Sequence, residues 1–413
     1  MSTNLRINPE RLWSTLMETA AFGATPKGGI RRLALSDEDK AVRDWFRTAC
    51  EAAGLTVTVD GIGNMFAVRE GTDVSRAPIA FGSHLDTQPA GGKFDGILGV
   101  LAGLEAIRTM NEAGYTTNAP LVLVNWTNEE GARFAPAMMC SGVYSGEIDA
   151  APMLAGVDND GRVFSEELER IGYRGDETVG ERRFGHFIEL HIEQGPILEA
   201  EERVIGVVTG GQGILWFDGT ITGRDSHAGT TPMPMRRDAL AALSELTLAV
   251  EKIATLHGPA GVGTVGEAHV MPGSRNTIPG TVTFKAEFRH PDGEHLSDME
   301  RELAAIAEDI ASRRSAAIDL KRIWRKNPLE FDPTIVAAVE KAARTNNVPY
   351  RKMISGAGHD AFYVASTCPT GMIFIPCAGG ISHNEEESAT EADCGAGAQV
   401  LLDTILEIDR TSS

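Results

Sequence analysis

Leu121-Val122-Leu123-Val124-Asn125-Trp126, followed at once by Thr127-Asn128-Glu129-Glu130, decides the fold. An apolar, β-branched run of this length with no polar alternation reads as an interior strand, and the acidic cluster behind it as the turn at its end. Three other segments share that grammar. They are Ile79-Ala80-Phe81-Gly82-Ser83-His84-Leu85-Asp86, Ile188-Glu189-Leu190-His191-Ile192-Glu193-Gln194-Gly195, and Ile373-Phe374-Ile375-Pro376 running on through Gly379-Gly380-Ile381-Ser382-His383-Asn384. In open α/β sheets ligands bind beyond the carboxyl ends of the strands, so these clusters can converge although far apart in sequence.

Working outward, the first half alternates strand and helix signals. Asp39–Ala53 is an amphipathic helix closed by Gly54, and Thr56–Val59 and Asn64–Val68 form a hairpin around Asp60-Gly61-Ile62-Gly63. Pro78–Gly82 is a short buried strand, Gly96–Ala113 a helix packed on a sheet, and Phe187–Ile192 a further strand. This rhythm predicts an α/β fold: a mostly parallel mixed sheet with helices on both faces.

Gly210-Gly211-Gln212-Gly213 marks a change and a plausible hinge. Beyond it come strand Leu215–Thr222, helix Arg236–Ala254, strands at Gly263–Val270 and Thr281–Arg289, helix His295–Ser312 and strand Ala317–Trp324. That β-α-β-β-α-β order predicts an inserted ferredoxin-like α+β domain. Lys326-Asn327-Pro328 is the second boundary, after which helix Pro333–Asn346, strand Met372–Pro376 and helix Ala392–Ile408 resume the α/β rhythm. The expected division is therefore 1–212 with 329–413, and 213–328 as the insert.

A chain of 413 residues with 42% hydrophobic and 23% charged residues can bury sizeable cores. Its net charge of −20 argues against a nucleic-acid or anionic-membrane partner, since both need a cationic footprint. No apolar run approaches a membrane span, and the N-terminal MSTNLRINPERLW has no signal-peptide core, so the expected location is cytoplasmic. Five cysteines with no C-x-x-C spacing exclude a disulfide framework and a structural zinc knuckle.

His84, His191 and His383 with Asp95, Glu129 and Glu130 form a mixed imidazole and carboxylate set without thiolate. Such a set suits zinc or another first-row divalent ion, and its size suits two ions sharing a bridging carboxylate. Asp86, two residues after His84, falls on the same strand face and could accept the other imidazole N–H. Glu129 and Glu130 point in different directions at a strand end, so one can bind metal while the other faces substrate as a base.

Ser83-His84-Leu85-Asp86-Thr87 with Gly91-Gly92-Lys93-Phe94-Asp95-Gly96 resembles the metal-binding signature of M20 metallopeptidase-like amidohydrolases. Asn128-Glu129-Glu130-Gly131-Ala132-Arg133-Phe134, His191-Ile192-Glu193-Gln194-Gly195-Pro196, Ser226-His227-Ala228-Gly229-Thr230-Thr231-Pro232-Met233, Ser274-Arg275-Asn276-Thr277-Ile278-Pro279-Gly280 and Gly379-Gly380-Ile381-Ser382-His383-Asn384 narrow it. Together they resemble the N-carbamoyl-L-amino-acid hydrolase, β-ureidopropionase and allantoate amidohydrolase branch, from about Arg31 to the C-terminal helix.

The resemblance implies roles. Asp95 bridges two divalent ions, with zinc first and manganese, cobalt or nickel as alternatives. His84 and His191 complete one site, and Glu130 and His383 the other. Glu129 is the general base, with Asp86 behind the site. His227, on the insert, is the oxyanion donor and arrives from a partner subunit, so a homodimer with a lid and dimerisation insert is expected. Arg289 offers a bidentate fork to the carboxylate of a small ureido acid, Asn276 and Gln194 add neutral hydrogen bonds, and Gly358 in Gly356-Ala357-Gly358-His359 lets backbone approach the ligand. The implied reaction is hydrolysis of the ureido C–N bond of N-carbamoyl-L-amino acids. Allantoate or β-ureidopropionate hydrolysis is the alternative, and a dipeptidase a weaker one. A silent binding or assembly protein is the reading from another class, against which the intact Glu129 stands.

Other features read plainly. His186, His257, His269, His290, His295 and His359 are taken as ordinary histidines, and Arg289 could instead pair with Asp292 or Glu294. Gly210–Gly213 lacks the helix start of a dinucleotide loop, and no G-x-S-x-G elbow or P-loop occurs. Cys140 and Cys377 have no evident His base, so packing is expected of them.

Overall fold

The computed structural model describes residues 4–411, and the chain divides into two compact units, 1–210 with 331–413, and 211–330. In the larger unit, helix Asp37–Ala52 starts where the Ser36 side chain accepts from the Asp39 N–H, with three acids in its first turn. The Asp60 carboxylate accepts from the N–H groups of Ile62 and Asn64 at 3.1 and 2.9 Å, closing the turn between the antiparallel strands Thr56–Val59 and Met65–Arg69. Helix Ile97–Glu112 is buried almost all round, from Ile97 to Ile107 without interruption. A helix apolar on every side has to lie inside a core.

Nine strands form one sheet. At its centre Leu121–Trp126, Ile79–His84, His186–Ile192 and Thr370–Ile375 lie side by side and parallel. Met65–Arg69 is antiparallel to Leu121–Trp126, and Ile205–Gly211 antiparallel to Thr370–Ile375. The sheet is therefore mixed, and the expected mostly parallel character holds only in the four central strands. The reason is connectivity: hairpin-linked and returning strands added at the edges pair antiparallel, whereas helix-linked ones pair parallel. One face, with Phe81, Leu123, Ile188, Leu190 and Ile373, joins helices Ile97–Glu112, Pro333–Thr345 and Glu391–Thr411 in a single apolar core. The other face carries Phe66, Trp126 and Phe187. Tyr144 of helix Met139–Ser145 packs on Trp126 with ring centres 4.9 Å apart.

Four parallel strands put four carboxyl ends on one edge. Register aligns His84 with Trp126 and His191 with Phe374, so the turns beyond them start level. The boundary between the two units falls between Gly210 and Gly211, inside the expected hinge segment Gly210–Gly213. Gly210 and Gly211 end strand Ile205–Gly211, and Gly213 starts strand Gly213–Thr222, so the glycines lie in extended, paired backbone with only Gln212 between.

The smaller unit has strands Gly213–Thr222, Val262–Met271, Thr281–His290 and Ala317–Lys326 in one antiparallel sheet. By position in the chain its order is fourth, first, third, second, with helices Ala239–Leu256 and Gly293–Arg314 between the strands in the β-α-β-β-α-β sequence. Leu215, Phe217, Phe284 and Phe288 pack with Leu246, Val250, Met299 and Leu303 in its own core. The alternate residues Trp216, Asp218, Lys285 and Glu287 face the opposite way, as the period of two requires.

Candidate active site

The larger unit gathers five of the expected ligands. Asp95 stands at their centre: one carboxylate oxygen is 3.1 Å from His191 Nε2 and 3.7 Å from His84 Nε2, the other 3.5 Å from His383 Nε2. His383 Nε2 is in turn 3.3 Å from a Glu130 oxygen. Two overlapping donor sets result, His84–Asp95–His191 and Asp95–Glu130–His383, each with its ligand atoms within 4.8 Å of one another.

The imidazoles are oriented by backbone. His84 Nδ1 lies 2.9 Å from the Asp86 carbonyl oxygen, and His191 Nδ1 lies 2.9 Å from that of Ile192. A carbonyl only accepts, so each Nδ1 carries a proton and each Nε2 is left facing Asp95, as the nitrogen a cation would take. Gly96, at φ 69°, makes room for this: a Cβ there would lie 2.3 Å from His84 Cε1. The expectation for Asp86 is corrected accordingly. Its backbone carbonyl takes the imidazole hydrogen bond, and its nearer carboxylate oxygen stands off at 3.8 Å from the same nitrogen. The carboxylate instead accepts the N–H groups of Glu129 and Glu130, both at 3.2 Å, and so fixes the turn that aims the two acids.

Glu129 and Glu130 do diverge. Glu129 reaches His84 Nε2 at 3.4 Å, while Glu130 is held by the N–H of Gln88 at 3.0 Å and its side-chain amide at 2.7 Å. Burial, reinforced for Glu129 by Asp360 and Glu130 and for Glu130 by Asp95 and Asp86, raises both carboxyls well above the usual range. Burial likewise lifts Asp86 to about 7 and lowers His84 to about 4. Burial also acts against the charged form of His191, but the hydrogen bond and charge of Asp95 outweigh it and raise that imidazole to about 9. Crowded buried carboxylates facing imidazole nitrogens are a donor set that fits divalent cations, which would hold the acids ionised.

The remaining expected residues divide. Gln194 belongs to the cluster, its amide N–H donating to the Asp95 carboxylate at 3.0 Å and its Nε2 standing 3.4 Å from His383 Nε2. Gly358 is in the larger unit, where a Cβ would come within 2.7 Å of Met138 Cε. His227, Asn276 and Arg289 lie in the smaller unit and are absent from both donor sets. His227 is exposed, with Nδ1 accepting from the N–H groups of Gly229 and Thr230 at 3.0 and 3.2 Å. Asn276 is next to its strand partner, and its backbone oxygen accepts from the Ala228 N–H at 2.9 Å. Arg289 pairs with Glu287, at 3.1 and 3.2 Å.

Sequence reasoning missed several neighbours. His359, read as ordinary, is buried with its ring centre 4.5 Å from that of His191, and forms a third set with Glu189 and His191. The signal for Glu189 was present, since it lies two residues before His191 on one strand face. Glu387 hid in an acidic run that reads as surface, yet it is 5% exposed and accepts from the N–H groups of Phe94 and Asp95.

A model of peptidase family M20/M25/M40 matches residues 80–407. An N-carbamoyl-L-amino-acid amidohydrolase of Rhizobium meliloti is 47% identical over 404 residues, covering 98% of this chain and 97% of the relative. The crystal structure of an amidase of the hydantoinase/carbamoylase family from Burkholderia multivorans aligns with a TM-score of 0.95 at 50% identity, over 98% of both chains. A ureidoglycolate hydrolase of Oryza sativa subsp. japonica is 34% identical, covering 97% of this chain and 84% of the relative. With matches of that extent and the donor sets of Asp95 in place, the chain belongs to peptidase family M20/M25/M40.

Proposed function

We propose that the protein is a metal-dependent amidohydrolase that cleaves the ureido C–N bond of N-carbamoyl-L-amino acids, releasing the amino acid, carbon dioxide and ammonia. The observation that carries this is Asp95, one oxygen toward His84 and His191 and the other toward His383, with Glu130 beside the last. The full-length relatives named N-carbamoyl-L-amino-acid amidohydrolase support the choice of bond.

His84 and His191 would hold one cation, Glu130 and His383 a second, and Asp95 both. Zinc is the first choice and manganese, cobalt or nickel the alternatives. Bound there, such ions supply an acidified water and polarisation of the carbamoyl oxygen. Glu129 takes a proton from the attacking water as the water oxygen bonds the carbamoyl carbon, then delivers it to the nitrogen of the amino acid as the C–N bond breaks. The freed carbamate falls to carbon dioxide and ammonia. Asp86 acts from behind, through the N–H groups of Glu129 and Glu130. Arg289 takes the substrate carboxylate with Asn276 and Gln194, the backbone at Gly358 borders the substrate, and His227 donates to the oxyanion. The insert, 211–330, serves as lid and pairing module of a homodimer, with His227 crossing to the partner subunit's site. The enzyme works in the cytoplasm.

A second reading, allantoate or ureidoglycolate hydrolysis on the same machinery, is favoured by the rice relative and by an Arabidopsis thaliana ureidoglycolate hydrolase at 32% identity. A turnover panel decides. Carbamoyl-L-amino acids, carbamoyl-β-alanine, allantoate, ureidoglycolate and dipeptides are offered with zinc, manganese, cobalt or nickel, before and after chelator. Chelator-sensitive release of amino acid from the first class is expected. A higher kcat/KM on allantoate or ureidoglycolate would transfer the assignment, and turnover of dipeptides alone would overturn it.

A further inference from the structure

We infer that Glu387 is a positioning residue that assembles the outer of the two cation sites by tying the Asp95 loop to the His383 loop. The inference rests on the two-cation reading above and deepens it.

The two donor sets differ in how they are supported. His84 and His191 are each 1% exposed and stand at the ends of paired strands, whereas the His383 side chain is 51% exposed and sits on a loop at φ 53°. Sheet packing cannot hold His383 against Asp95, so something else must. Glu387 reaches across: one carboxylate oxygen accepts the N–H groups of Phe94 and Asp95, at 3.2 and 3.1 Å. The other accepts the Ser382 hydroxyl at 2.9 Å, on the residue before His383. Ser382 Oγ stands 3.3 Å from the Asp95 carboxylate, and the Gln194 amide bridges Ser382 and Asp95 at 3.3 and 3.0 Å. One buried carboxylate thus touches the loops that carry Asp95 and His383, two of the three outer ligands.

The chain is built around this contact. A Cβ on Gly92 would come within 2.1 Å of Glu387 Oε1, so only glycine leaves space for the carboxylate. Of the three consecutive acids, Glu385 turns instead to Thr25 and Lys27, and Glu386 is exposed. A solvated acidic run has no reason to send one member beneath a loop and leave the next outside.

Groups that orient ligands without touching metal typically set affinity by roughly 10- to 100-fold. The test is metal binding by the full-length protein, stripped and then dialysed against graded free zinc or manganese, with bound metal counted by mass spectrometry. Wild type is expected to take two ions. Glu387→Ala should keep the first within about threefold and bind the second at least tenfold more weakly. Glu387→Gln, whose amide oxygen still accepts both N–H groups, should restore the second ion to within about threefold. Two equally tight ions in Glu387→Ala, or equal weakening of both, would overturn the role of Glu387. A wild type that stops at one ion would overturn the two-cation reading itself. If Glu387→Ala does not fold, Ser382→Ala carries the test: selective weakening of the second ion supports the link, and unchanged binding of both refutes it.

Discussion

The two units place functional side chains in opposite ways. In the larger one, His84, His191, Asp95, Glu129 and Glu130 are buried, and backbone fixes them: a carbonyl behind each imidazole, two N–H groups on Asp86. In the smaller one, His227, Asn276 and Arg289 lie on partly exposed strands and loops and are held by local side-chain and turn contacts. Buried groups are costly unless satisfied, so their geometry is strongly determined. Exposed groups are free to change partners, which suits residues that must meet a ligand. On the proposed function, the metal ligands and the base would stand on the rigid part, and most of the substrate contacts on the adaptable part.

The largest test of this contrast is Glu129→Gln. Removing the buried base should lower turnover by about 10²- to 10⁴-fold while bound metal is unchanged. Wild-type turnover in this variant would reduce the buried region to scaffolding. Next comes Arg289→Lys. A point charge loses the bidentate fork, so KM for a ureido acid should rise by roughly tenfold with kcat within a few-fold. An unchanged KM would remove Arg289 from recognition and leave it a structural partner of Glu287.

A smaller effect concerns protons in the metal-free protein. His191 titrates at about 9, above its ordinary 6.5, because Asp95 outweighs burial. The native state therefore holds a proton that the unfolded chain releases earlier. Its contribution is complete below pH 6.5 and disappears as pH rises through about 9. The melting temperature of metal-free protein should fall by a few degrees across that window, and less steeply in His191→Asn. Equal slopes would mean that the His191–Asp95 contact adds nothing without metal.

Much of the larger unit was legible because its strands are short apolar runs punctuated by turns. Leu121–Trp126 is a strand with the expected bounds, and the helix expected over Gly96–Ala113 spans Ile97–Glu112. Helix Pro9–Thr19 and strand Ile205–Gly211 were overlooked, the latter because its glycines suggested a hinge rather than the end of a paired strand. Gln88, His359 and Glu387 were illegible as neighbours of the cluster. Nothing local separates an acid that turns inward, such as Glu387, from Glu386 beside it.

The amino-acid order alone determined which strands end in polar clusters and which residue types those clusters hold, since hydrophobic period and turn chemistry are properties of neighbours along the chain. Only the tertiary structure decided which nitrogen of each imidazole faces Asp95, that Asp86 orients His84 through its carbonyl while its carboxylate takes backbone N–H groups, and that Glu387 joins two distant loops. These depend on parallel register and on contacts between segments up to about 290 residues apart, which no local pattern encodes.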